Sequence, residues 1–192
     1  MNYELYIDEH PERIDIMAAL AAVSSQRREY ALRYRKEQDR RLCLSAYLLL
    51  QKALQEAYGI IEPPIFSFTP QGKPFLKDHS NIHFNLSHCR QAAVCVVSHR
   101  PVGIDIESID AYDPELIAAT MSDKEQDMIA KASSPPLAFI RLWTQKESLL
   151  KFLGQGLAAE SLRSILDIDI PHRFITHENV ALGYVYSLVF SV

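Results

Sequence analysis

Glycine is scarce in this chain, six residues in 192, and the six form neither a P-loop nor a dinucleotide-binding Gly-x-Gly-x-x-Gly pattern. A nucleotide triphosphatase or a dehydrogenase therefore has no basis in the sequence. Cysteine is scarcer still. Cys43, Cys89 and Cys95 are odd in number and lack Cys-x-x-Cys spacing, which argues against a disulfide frame or a zinc site and reads as reduced thiols of a cytoplasmic protein. There is no charged-then-apolar leader and no long apolar run, so neither a signal peptide nor a membrane span is expected. Positive charge is also short: 20 Lys and Arg face 24 Asp and Glu, a formal net charge of −4. With no groove-reading motif, a nucleic-acid-binding module would have only the basic stretch 27–41 to work with.

What the chain does have is enough apolar content, 48%, to bury a sizeable core, and two short runs that carry chemistry. In Gly103-Ile104-Asp105-Ile106-Glu107 the pleat of a strand sends the isoleucines to one face and the carboxylates to the other. In Trp143-Thr144-Gln145-Lys146-Glu147-Ser148-Leu149-Leu150-Lys151 a helix repeats Trp143, Glu147 and Lys151 every four residues along one stripe. If strand and helix pack together, Asp105, Glu107 and Glu147 converge beside the ammonium of Lys151. Two ionised carboxylates about 4 Å apart repel by about 4 kcal/mol at an effective dielectric of 20. Such a group needs a cation or a raised pKa, and Mg²⁺, which takes hard oxygen ligands and shares itself with substrate phosphates, suits it. Taken singly, each run also has a plainer reading, as a solvated i,i+4 pair or as the wet face of a half-buried strand.

The rest of the chain reads as mixed helix and strand. A short apolar start over 5–7 precedes a long helical stretch over about 24–58, opened by Ser24 or Ser25 and closed by Gly59. Pro63-Pro64 breaks it. Residues 82–87, 92–98 and 102–107 read as strands, the last two joined by the tight turn Ser98-His99-Arg100-Pro101 into a hairpin. His79 and His83 are four apart but enter a strand pattern, which speaks against a metal pair. Ser122-x-x-Glu125 has the form of a capping box. The prolines of Ser133-Ser134-Pro135-Pro136 suit the start of a helix over 137–153, with Phe139, Leu142, Leu149 and Leu153 as its core stripe and Trp143 supporting Glu147. A final strand is expected in 181–192.

Four motifs in order resemble the 4′-phosphopantetheinyl transferases, in particular the monomeric two-lobed class that activates peptide and polyketide synthetases. These are the Gln71-Gly72-Lys73-Pro74 turn, the strand end Phe84-Asn85-Leu86-Ser87-His88, the Gly103–Glu107 run, and the Trp143–Lys151 run followed by Gly154-Gln155-Gly156-Leu157. The resemblance implies an α+β fold of two similar lobes, helix plus antiparallel strands, dividing near Arg100 into 1–100 and 101–192 with the active site between them. It implies transfer of the phosphopantetheine arm of coenzyme A to a serine of an acyl or peptidyl carrier protein, dependent on Mg²⁺, with adenosine 3′,5′-bisphosphate leaving. It further implies that Asp105, Glu107 and Glu147 hold the metal, that Lys151 contacts the phosphates, and that Lys73, Ser87 and His88 line the coenzyme A site. The first helix would supply 3′-phosphate contacts, with Arg27 and Arg41 as candidates, and Tyr30 stands where the family has a lysine. Glu147 or Glu125 would take the serine proton. The alternatives are an Mg²⁺-dependent phosphohydrolase on the same carboxylates and the nucleic-acid module.

Overall fold

The computed structural model describes residues 3–110, 113–154 and 162–191. The chain opens with strand β1 (Tyr3–Asp8) and passes through helices α1 (Ile16–Ala22), α2 (Ser25–Leu32) and α3 (Glu37–Tyr58). Two short strands, β2 (Phe66–Phe68) and β3 (Pro74–Leu76), lead to β4 (His83–His88) and β5 (Ala93–Ser98). The second half runs β6 (Val102–Ser108), α4 (Pro114–Thr120), α5 (Asp123–Lys131), α6 (Pro135–Leu153), β7 (His172–Asn179) and β8 (Tyr184–Ser191). The fold is α+β, and it is built twice. One antiparallel sheet has the order β1-β5-β4, the other β6-β8-β7. In each, the last strand of the half lies between the first strand and the one before it.

Burial alternation stacks these parts into four layers. On β5, Cys95 and Val97 face the core against α3 with Leu44, Tyr47, Leu50 and Leu54. Val94 and Val96 face the other way and meet Val102, Ile104 and Ile106 of β6 and Tyr184, Tyr186 and Leu188 of β8. The two sheets are thus joined by an apolar core, and α6 covers the outer face of the second, where Val185 and Val189 pack. A strand buried on both faces reads as a continuous apolar run, which is what β5 is.

Two expectations are corrected. The helical stretch over 24–58 is two helices. Ser24 caps α2 by accepting from the Arg27 amide, but the helix stops at Leu32 and α3 restarts at Glu37. Glu37 and Asp39 in the new first turn complement the positive helix end, and Arg40 donates to the Tyr34 carbonyl at 2.8 Å, occupying a backbone oxygen freed by the break. Gly59, at φ 69°, ends α3 as expected. Second, β5 and β6 are not a hairpin. They follow one another through the turn 98–101 but belong to different sheets, and β6 pairs with β8 in the register Asp105↔Ser187 and Glu107↔Val185. The final strand expected in 181–192 is β8, which begins at Tyr184 after a turn closed at Gly183. The strands β2, β3 and β7 were not anticipated. Gln155-Gly156-Leu157 lie outside the described residues.

Gly103 shows why helix and strand approach so closely. A Cβ built there would lie 2.1 Å from the Ser148 carbonyl oxygen and 2.5 Å from the Phe152 amide nitrogen. Only a residue without a side chain admits α6 to this distance, and the next residues on the same face of β6 are Asp105 and Glu107. Among the described residues no helix is long and apolar enough to cross a membrane.

Candidate active site

The site forms where the edge strands of the two sheets run side by side beneath α6. Asn85 of β4 is buried, and its side-chain oxygen accepts from the Ile104 amide at 3.0 Å, which pins β4 against β6. One step along, Ser87 Oγ donates to Asp105 Oδ1 at 2.9 Å. Lys151 comes down from α6 and donates to Asp105 Oδ1 at 2.6 Å and to Ser87 Oγ at 3.0 Å. Three elements from both halves therefore meet at one carboxylate that is only 3% exposed.

The other two carboxylates stand close enough to be felt. Glu107 is pushed up to about 7, first by burial and then by Asp105, with Glu147 adding to it while Lys151 and a hydrogen bond from Trp143 pull the other way. Glu147, buried, is raised by burial and by Asp105. Asp105 Oδ2 and Glu147 Oε1 are buried and accept no hydrogen bond among the described residues. Buried, orphaned carboxylate oxygens on a group of like charges are a donor set that a hard divalent cation fits. They are not gathered as a ready ligand cage: among the described residues no three His, Cys, Asp or Glu side chains are grouped to hold an ion. The ammonium of Lys151, expected beside these carboxylates, is bonded to Asp105, and its charge acts on Glu107 and Glu147 as well. Trp143, one turn before Glu147 on α6, hydrogen-bonds Glu107.

Beside the carboxylates lie two adjoining cavities that share Arg27, Tyr30, Leu86 and Lys151 in their walls. One, about 360 Å³, is walled mainly by Phe66, Phe68, Phe84, Tyr30 and Pro74. The other, about 240 Å³, is bordered by Tyr34, Cys43, Ser87 and His88. The Arg27 guanidinium lies over the rings of Tyr47, Tyr30 and Phe66 at 4.8, 5.2 and 5.3 Å from their centroids and donates to Cys43 Sγ at 3.3 Å. Stacking on three rings holds this cation in place between the cavities. Burial, and after it the Lys151 ammonium, lowers the pKa of His88. An anion entering here would meet Arg27, His88 and Lys151 together.

Residues 101–190 match the 4′-phosphopantetheinyl transferase superfamily, and residues 9–100 match the 4′-phosphopantetheinyl transferase N-terminal family. A 4′-phosphopantetheinyl transferase of Bacillus subtilis is 33% identical over 160 residues, covering 81% of this chain and 71% of that protein. One from Bacillus pumilus is 32% identical over 189 residues, covering 95% and 81%. The chain belongs to the 4′-phosphopantetheinyl transferase superfamily. A third relative, from Aneurinibacillus migulanus, is 35% identical over 138 residues, 70% of this chain and 57% of that protein.

Against that family's pattern the candidate residues divide into two sets. Arg27, Ser87, His88 and Lys151 border the cavities, and Lys151 joins them to Asp105. Tyr30 also borders both cavities, and its hydroxyl accepts from Tyr34 at 3.4 Å. Arg41 does not join them. It donates to the Ile14 carbonyl at 3.2 Å, pairs with Glu37 at 3.5 Å, and lines a separate cleft of about 270 Å³ with Glu12, Gln38 and Arg90. Lys73 is turned to the end of α6, where its Nζ donates to the Phe152 carbonyl at 2.9 Å. Burial lowers its pKa, and only its neighbour Pro74 lines the larger cavity.

Glu125 closes the capping box. Its Oε2 accepts from the Ser122 amide at 2.7 Å and from the Lys146 ammonium at 2.7 Å. Lys146, 0% exposed, spends its other donors on the carbonyls of Leu162 and Thr120 at 2.7 and 3.1 Å. This lysine, whose ammonium fastens α4, α5 and residue 162 to α6, was missed in the sequence, although a buried lysine next to Glu147 was spelled out in the motif. Tyr34, Cys43, Phe66 and Phe84 were missed as well, because the segment between α2 and α3 and the separate elements α3, β2 and β4 carry them to the cavity walls.

Proposed function

We propose that this chain transfers the 4′-phosphopantetheine arm of coenzyme A to a serine of an apo acyl or peptidyl carrier protein, releasing adenosine 3′,5′-bisphosphate. The observation that carries this reading is the joining of Asp105, Lys151 and Ser87 at the mouth of an aromatic and basic trough. Aromatic walls suit a flat heterocycle such as adenine, and Arg27, His88 and Lys151 suit its phosphates. Family membership supports the reaction, and the lining of the trough supports the reading that the donor substrate binds there.

Asp105, Glu107 and Glu147 would hold Mg²⁺, which when bound would polarise a phosphoryl oxygen and offset charge on the departing bisphosphate. The chain's own residues do the positioning that phosphoryl transfer chiefly requires. Ser87 and Lys151 orient Asp105. Lys151 offers its ammonium to the pyrophosphate, and Arg27 and His88 receive the 3′-phosphate. Glu147, whose Oε1 accepts no hydrogen bond among the described residues, is the better placed of the two glutamates to accept the serine proton, since Glu125 Oε2 is already bound by Ser122 and Lys146. The two halves act as lobes divided near residue 100, and the protein works as a cytoplasmic monomer.

Intact-mass spectrometry tests the reading. A panel of apo carrier proteins is incubated with the protein, Mg²⁺ and coenzyme A. A gain of one phosphopantetheine arm that EDTA abolishes supports it. Absence of the gain on every carrier, together with absence of coenzyme A binding, would remove it.

A further inference from the structure

Lys151 is bonded at once to Asp105 and to Ser87. Its side chain is 29% exposed, while the Asp105 side chain it grips is 5% exposed. The ammonium is therefore anchored at the site's edge and reaches inward to the carboxylate at 2.6 Å, and the same residue lines both cavities in which phosphates would sit. The second oxygen of Asp105 is buried without a partner, as is Glu147 Oε1. An ammonium satisfies one oxygen of this group and leaves two orphaned, which a divalent cation would not.

We propose that Lys151 is a stand-in cation: it neutralises Asp105 while metal and substrate are absent, competes with the metal for that carboxylate, and is released to the phosphates when coenzyme A enters. This rests on the metal reading above and adds to it. Transfer of Lys151 from Asp105 to a phosphate frees the carboxylate as the anion arrives, so substrate and metal promote one another's binding through one side chain. Linkage makes that coupling reciprocal. Ser87, bonded to both partners at 2.9 and 3.0 Å, can keep its bond to Asp105 when the lysine leaves.

The test is the affinity of the apo protein for Mn²⁺, followed by electron paramagnetic resonance and calorimetry, in the parent and in Lys151→Met, each with and without coenzyme A. Lys151→Gln replaces the methionine variant if that one unfolds, and Lys151→Arg keeps the cation as a control. Without coenzyme A the neutral variants bind Mn²⁺ about tenfold more tightly than the parent, because a competing charge has gone, while Lys151→Arg stays near the parent. Thermal melting of the metal-free neutral variant is lower than that of the parent and is restored by Mn²⁺. Equal or weaker Mn²⁺ binding by the neutral variants, with the parent still binding Mn²⁺ when coenzyme A is present, overturns the stand-in role and leaves the metal reading intact. No Mn²⁺ binding by any variant, with or without coenzyme A, overturns both.

Discussion

Glutamine in place of Glu107 should make the metal-free protein more stable above neutrality and leave it unchanged in mild acid. The Glu107 carboxyl is lifted from 4.5 to about 7 by burial and by Asp105 and Glu147. Between those two pH values the folded chain holds a proton that the unfolded chain has released, so stability falls as pH rises through this window. Above about 7 the full cost of an ionised Glu107 is present. At roughly 1.36 kcal/mol per pH unit of displacement, the ceiling is about 3 kcal/mol, and partial exposure reduces it to about 1–2 kcal/mol. Glutamine retains an oxygen to accept from Trp143 and cannot ionise. Urea unfolding in EDTA at pH 5, 6, 7 and 8 measures the difference: the two curves should meet near pH 5 and separate towards pH 8, the variant being the more stable, while its transfer activity is lost. Parallel curves across the whole range, or a variant weaker at pH 8, would refute the electrostatic reasoning. The outcome also gauges how much stability is sacrificed to keep a carboxylate where a cation is wanted.

The remaining predictions concern packing and charge elsewhere in the site. Gly103→Ala should lower stability by about 1–3 kcal/mol or more and reduce activity, read by urea unfolding and carrier mass, since its Cβ would meet backbone of α6 at 2.1 Å. Lys146→Met should cost about 3–5 kcal/mol by leaving Glu125 without its partner, and the double variant with Glu125→Gln should recover part of that loss in the same unfolding experiment. Coenzyme A binding should take up protons, because a phosphate beside His88 reverses the lowering caused by burial and by Lys151, with Asp39 and Arg27 as the other charges that act on it. Affinity should therefore fall as pH rises from 6 to 8 in His-intact protein and lose that dependence in His88→Gln, as calorimetry in two buffers would show.

The strand Gly103–Glu107 and the helix through Lys151 were legible because each carries its chemistry on a contiguous run whose periodicity names the face. Their contact was legible only in outline, since the glycine that permits it looks like any other glycine in a sequence. Arg41 shows how a reading fails. On one continuous helix, positions 27 and 41 fall about four turns apart on nearly one face, but the break between Leu32 and Glu37 removes that registry and sends the two arginines to different clefts. The missed β7 alternates weakly, with His, Arg, Thr and Glu among its apolar residues, so no clean period-2 signal marks it. The aromatic walls of the trough come from α2, β2 and β4, a set that no spacing rule brings together. Nor does the sequence disclose that both halves use the same strand order, because that likeness lies in topology and not in residues.

The apolar core shared by Val94, Val96, Ile104, Ile106 and Leu188 has a mechanical consequence. A cleft whose two sides are welded by hydrocarbon cannot gape like a hinged jaw, for any opening would bring those side chains into water. Coenzyme A and carrier must therefore approach a mouth whose width is already set, and adjustment falls to single side chains. A catalyst of this kind behaves as an anvil, with its two faces fixed in place by the core they share.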